Sequence, residues 1–146
     1  MSSRDRPPRP TDATASRGVA NSGADKVDKT GGRQALGQEA ESFVARELLR
    51  RGFALLGRNV RVGRLEIDLI ARRGSLIVIC EVRARRSDAF MSPAESLDRR
   101  KLERIRRAAT MWLANSGLRS VDVRLDVASV VYTGAAPHLE YYEGAF

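Results

Sequence analysis

The chain has 146 residues, with 26 Lys plus Arg against 18 Asp plus Glu, for a formal net charge of +8. Charged residues make up 30% and hydrophobic ones 42%, which suits one soluble globular domain and excludes collagen-like and membrane-embedded classes. One cysteine excludes an internal disulfide or a multi-Cys zinc site, and the single His138 excludes an HExxH centre.

The longest apolar run, Leu76 to Cys80, falls far short of the ~20 residues of a membrane span. Any metal would sit mainly on carboxylates, which points to a hard ion such as Mg²⁺ or Mn²⁺. Residues 1–33 read as a disordered leader. Pro7, Pro8 and Pro10 are followed by Ser, Thr, Asp, Gly and Ala without a periodic apolar face. Such a segment buries too little surface to offset its ordering entropy. It also lacks the apolar stretch of a secretory signal, so the expectation is a cytoplasmic protein with a reduced thiol and no membrane partner.

Residues 34–146 form the expected folded domain. From Gly37 to Arg51 apolar residues recur at helical spacing, with Gly52 where a cap belongs. Strands are expected over Phe53 to Val60, Arg64 to Arg72 and Ser75 to Ala84. The last two are joined by a tight turn at Arg73-Gly74. Pro93 opens a second helix that runs to about Asn115, with a stripe of Ala94, Leu97, Ile105, Ala108, Ala109 and Trp112. Val121 to Thr133 is a fourth strand and His138 to Tyr142 a fifth. The second helix can return the chain to a parallel position beside the hairpin. The expected fold is therefore α/β, with helix, three strands, helix and further strands around a central mixed sheet.

Basic charge is concentrated between Arg83 and Arg107, where nine basic residues face four acids, the whole excess of residues 34–146. One reading is a solvated helix face with ion pairs. The other is a phosphate-binding surface, because arginine forks suit phosphate oxygens. Arg85, Arg86, Arg99, Arg100 and Arg104 are its candidate contacts.

Acids interrupt otherwise apolar strands. Side chains alternate along a strand, so Glu66, Asp68 and Ile70 share one face, and Leu65, Ile67 and Leu69 the other. In the next strand Ile77, Ile79, Glu81 and Arg83 share a face. If the two strands pair as a hairpin, Asp68 and Glu81 can share a face of neighbouring strands, and two carboxylates held close repel unless something positive lies between them. A divalent cation is one answer. Carboxylates at strand ends paired with arginine are the other. Glu39, next to Phe43 (i, i+4) at the edge of the first helix's apolar stripe, either points to this site or is a first-turn acid favoured by the helix dipole. Lys101 is the only lysine after residue 33 and falls on the stripe of the second helix. Either its ammonium snorkels to the helix edge or it reaches the pocket or a phosphate. Cys80 lies on the apolar face of its strand and reads as a buried core thiol.

The segments Gly37-Gln38-Glu39-Ala40, Arg58-Asn59-Val60-Arg61, Glu66-Ile67-Asp68-Leu69-Ile70-Ala71 and Glu81-Val82-Arg83-Ala84-Arg85 resemble the YraN family of small bacterial proteins. The resemblance runs from about Ala35 to Val131 and includes Lys101 and Asp126-Val127. It implies a restriction-endonuclease-like core, similar to archaeal Holliday junction resolvases, with a PD-(D/E)xK-type site. Asp68 and Glu81 take the two acidic positions and Glu39 the helix glutamate. Leu65 stands where the family has glycine. Arg83 stands where lysine is usual. Arginine stays protonated and cannot act as a base, although it stabilises phosphorane charge.

The resulting expectation is a nucleic-acid-binding protein, with DNA favoured and a homodimer as the corresponding assembly. Its catalytic set is Glu39, Asp68, Glu81, Arg83 and Lys101. Asp68 and Glu81 would bind Mg²⁺ or Mn²⁺, helped by a backbone carbonyl near Val82. Two other functions fit the same residues: a binding module disabled by Arg83, and a basic domain that grips an acidic protein.

Overall fold

The computed structural model describes residues 24–86 and 98–145. Two helices and five strands follow in the order α1 (Ala24–Arg50), β1 (Ala54–Val62), β2 (Leu65–Arg73), β3 (Leu76–Arg85), α2 (Arg99–Ser116), β4 (Asp122–Val131) and β5 (His138–Tyr142). This is the α/β order expected from sequence, and β5 has the expected bounds.

Helix α1 begins at Ala24 rather than near Gly37, so it overlaps the expected leader over residues 24–33. No proline falls between Pro10 and Pro93 to stop it, and Gly31 and Gly32 lower helix propensity without breaking it. The core is reached only at Ala40, and Val44, Ala45 and Leu48 complete the buried stripe. Gly52 N–H donates to Leu49 O and Phe53 N–H to Leu48 O, both at 3.0 Å. This pair of bonds is a Schellman cap, with its usual apolar contact between the residues that flank it. Leu48 and Phe53 are both buried in the cluster beneath α1, each contributing roughly 2 kcal/mol by burial.

The five strands form one sheet in sequence order, antiparallel except for the parallel pair β3–β4. Two hairpins, β1–β2 and β2–β3, have two-residue turns. Gly63 and Gly74 occupy the first turn positions at φ 60° and 62°, which a side chain would strain. The first of these hairpins was not anticipated. Helix α1 covers Leu69, Ala71, Val78, Cys80, Ala128 and Val130 on one face. Helix α2 covers Ile70, Ile77 and Ile79 on the other, through Ile105, Ala108 and Ala109. Strand β3 is buried on both faces, which explains its unbroken run of apolar residues.

Two expectations need correction. Helix α2 starts at Arg99 behind Asp98, which is extended and whose side chain accepts the Lys101 N–H. The expected start at Pro93, with Ala94 and Leu97, lies outside the described residues. Alternation in β2 also fails at one place: Ile67 packs in the α2 cluster, whereas Leu69 packs beneath α1. Two-stranded ribbons twist strongly, and before Leu69 strand β2 is paired with β1 alone.

Candidate metal and phosphate site

The β2–β3 ladder ends at the pair Leu69↔Cys80. Strand β3 continues beside β4 as far as Arg85↔Val131, so the two strands part just where the next rung would match Asp68 with Glu81. The Val82 N–H does not go unpaired. It donates to Asp68 Oδ2 at 2.8 Å, so the carboxylate serves as an acceptor on the strand. The fork leaves Asp68 and Glu81 as neighbours at the floor of a pocket of ≈290 Å³, with Arg64, Leu65, Glu66, Lys101, Arg104 and Ile105 around it.

The floor is short of positive charge. Burial, then the charge of Glu81, push the Asp68 carboxyl up to about 7, with Glu41 adding to the shift and the Val82 N–H opposing it. Lys101 Nζ lies 2.5 Å from Glu81 Oε1. The Glu81 side chain is 11% exposed and that of Lys101 41%, so the carboxylate is enclosed and the ammonium sits at the mouth. The placement follows from α2. Lys101 is four residues before Ile105, on the same helix face, and the stripe meets β3 where apolar Ile79 gives way to Glu81. Arg64 and Arg104 add two guanidinium groups to the rim. Neither makes an ion pair among the described residues.

Asp68, Glu81 and Lys101 are thus brought together as expected. Glu39 is not. It is exposed, and its charge is felt by Tyr132 rather than by Asp68. Glu41 is the α1 acid that acts on Asp68. At 100° per residue, Glu41 lies within the arc of Ala40, Val44, Ala45 and Leu48, and Glu39 lies nearly opposite. Weighting Phe43, which is only partly buried, turned the inferred stripe the wrong way. Asn59 Nδ2 donates to Glu41 Oε2 at 2.9 Å, and Arg58 Nη2 to Ser42 Oγ at 2.9 Å, tying α1 to β1. Asn59 makes this contact from a left-handed backbone at φ 48°, a conformation that asparagine tolerates better than most residues.

Arg83 shares the β3 face of Glu81 but does not line the pocket. Its Nε is buried and has no hydrogen-bond partner among the described residues, as is true of the hydroxyl of Ser129 at the paired position on β4. Arg86, Arg99, Arg100 and Arg104 are exposed, whereas Arg85 is half-buried and engaged. Cys80 is buried, as expected. No described helix is long and apolar enough to cross a membrane.

Among the described residues no three His, Cys, Asp or Glu side chains gather as a closed ligand set. The oxygens of Asp68 and Glu81 still fit a hard divalent ion. Mg²⁺ is bound through one or two carboxylates and keeps several waters or phosphate oxygens.

A second buried carboxylate differs in every respect. Asp126 is 0% exposed and accepts four hydrogen bonds. They come from Arg124 Nε at 2.8 Å, Arg124 Nη2 at 2.9 Å, the Tyr141 hydroxyl at 2.7 Å and Gly144 N–H at 2.8 Å. The Tyr141 ring in turn lies 4.5 Å from the Arg51 guanidinium, which joins β5 to the end of α1.

Sequence comparison places this geometry in a family. Residues 40–130 match the family described as "Uncharacterised protein family UPF0102". A UPF0102 protein of Anaeromyxobacter sp. (strain Fw109-5) is 39% identical over 122 residues, covering 84% of this chain and 92% of that one. Another, from Sorangium cellulosum (strain So ce56), is 42% identical over 123 residues, covering 82% and 83%. A third, from Acidothermus cellulolyticus (strain ATCC 43068 / DSM 8971 / 11B), is 37% identical over 125 residues, covering 78% and 95%. The chain belongs to the UPF0102 family, that of the YraN proteins it resembles.

Proposed function

We propose that the protein binds nucleic acid and hydrolyses its phosphodiester bonds with the help of Mg²⁺ or Mn²⁺ at Asp68 and Glu81. One observation carries this reading: a single pocket has a carboxylate floor and a cationic rim. A phosphodiester with its metal ion needs both, one for the cation and one for the anion. The ion, when bound, supplies a water of lowered pKa and polarises the scissile phosphate.

The protein's own groups do the rest. Asp68 is held in place by the Val82 N–H and lines the pocket. Glu81 is the second ligand. Lys101, Arg64 and Arg104 offset the negative charge that builds on the phosphate as the water attacks. Arg83 remains protonated and is not the base. Arg86, Arg99 and Arg100 extend the basic surface away from the pocket and contact backbone phosphates. Such contacts fix position and carry no base readout, so binding selects shape rather than sequence.

Arg83 also favours a second reading, a binding module without hydrolysis. Incubating branched and nicked DNA with Mg²⁺ or Mn²⁺ separates the two. Cleavage by the native protein that is lost in Asp68→Ala supports the hydrolytic site, and cleavage that persists rejects it. Salt-sensitive binding without cleavage, with activity appearing in Arg83→Lys, supports the module. Absence of binding even at low salt leaves the basic surface to a protein partner, since phosphate contacts strengthen steeply as salt falls.

A further inference from the structure

Of the three lysines in the chain, Lys101 alone lies after residue 33, and its ammonium sits on a carboxylate at the floor of the pocket. The other cationic groups of the pocket, Arg64 and Arg104, lie against no carboxylate closely enough to form an ion pair among the described residues. Lys101 therefore occupies one of the two Glu81 oxygens that a metal ion would use. A divalent ion on either oxygen of Glu81 repels an ammonium beside it more strongly than a unit charge does. The ammonium is free to leave. It is compact, with a flexible four-carbon stem, and it lies at the solvent side of the pair. Its stem springs from the first turn of α2, which Asp98 caps through the Lys101 backbone N–H. Displacing the side chain thus leaves the helix end intact. An anion drawn to the pocket's other two cations, Arg64 and Arg104, would give it a new partner.

We propose that Lys101 is an exchangeable counter-ion: a divalent cation displaces its ammonium from Glu81, and the released ammonium takes a nucleic-acid phosphate. This rests on the metal-and-phosphate reading of the pocket and adds a consequence to it. Metal and nucleic acid bind with positive coupling, and the coupling passes through one side chain. By linkage, each ligand tightens the other by the same factor.

The test uses binding rather than cleavage. Ca²⁺, which takes the same oxygen ligands, is titrated calorimetrically into the native, Lys101→Met and Lys101→Arg proteins. The affinity of each for a fluorescent four-way branched DNA is then measured by anisotropy with and without Ca²⁺. In Lys101→Met the competitor is gone, so Ca²⁺ binds about tenfold tighter than to the native protein in the absence of DNA. Lys101→Arg keeps a cation on Glu81 and shows no such gain. Ca²⁺ tightens DNA binding by the native protein at least fivefold, within the usual range for coupled sites, and less than twofold for Lys101→Met. Lys101→Met that binds Ca²⁺ no more tightly than native, or that keeps the full coupling, overturns the exchange while leaving the pocket's two ligands in place. A native protein that binds neither Ca²⁺ nor DNA overturns both the exchange and the reading beneath it.

Discussion

Asp126 and Asp68 are carboxylates on strands of one sheet, and the protein treats them in opposite ways. Asp126 has four donors, two of them from a bidentate arginine, and it fastens β5 and the Gly144 turn to β4. Asp68 has one backbone donor, no arginine, and two like charges nearby. Burial of a charge is costly unless it is paired and hydrogen-bonded. The Asp126 region meets that condition with its own residues. The Asp68 region leaves it partly unmet, as a site does when a ligand is to complete it. The difference separates polar burial that serves architecture from polar burial that serves chemistry.

The largest effect is expected at the architectural site. Asp126→Ala strands Arg124, the Tyr141 hydroxyl and the Gly144 N–H, and should cost about 3–5 kcal/mol, read as a lower midpoint in denaturant unfolding. Next comes the metal ion. At a hundred times its dissociation constant Mg²⁺ should stabilise the native protein by ~2.7 kcal/mol, seen as a rise in Tm, with no rise in Asp68→Asn.

The same substitution without metal should stabilise, with a defined pH dependence. The folded-state pKa of Asp68 is raised, from 3.8 to about 7. Between these values the folded protein holds a proton that the unfolded chain has lost, so stability falls as pH rises through the window. Asn has no proton to lose. Asp68→Asn should therefore match the native protein below about pH 4 and exceed it by a margin that grows as pH rises to about 7 and then levels off. A gain that is equal at both pH values would place the cause outside Asp68 ionisation. Smallest is Arg104→Ala. It should weaken DNA binding severalfold and reduce the slope of log affinity against log salt by about 1, with unfolding unchanged.

The sequence made the site's floor readable because an acid in an apolar strand is conspicuous. Asp68 and Glu81 followed from strand alternation and one glycine turn. Lys101 followed from its place on a helix stripe. The fork between β2 and β3 was not readable, because it depends on a side chain taking the place of a backbone acceptor. The twist that moves Ile67 across the sheet was hidden for a similar reason, since period-two patterning assumes a flat strand. Glu41 was within reach of helical geometry. It was missed because Phe43, only half-buried at the edge of α1, was given the weight of a core residue. The start of α1 at Ala24 shows the opposite limit: composition describes how little a segment can bury, and it does not mark where a helix already begun upstream takes up its first core contact.

Calorimetric titration of Mn²⁺ into the native and Glu81→Ala proteins asks most directly whether the forked strands make a cation site. Saturable binding near one ion per chain in the native protein, lost in Glu81→Ala, is the predicted result. No saturable binding by the native protein, or equal binding by both, would contradict it.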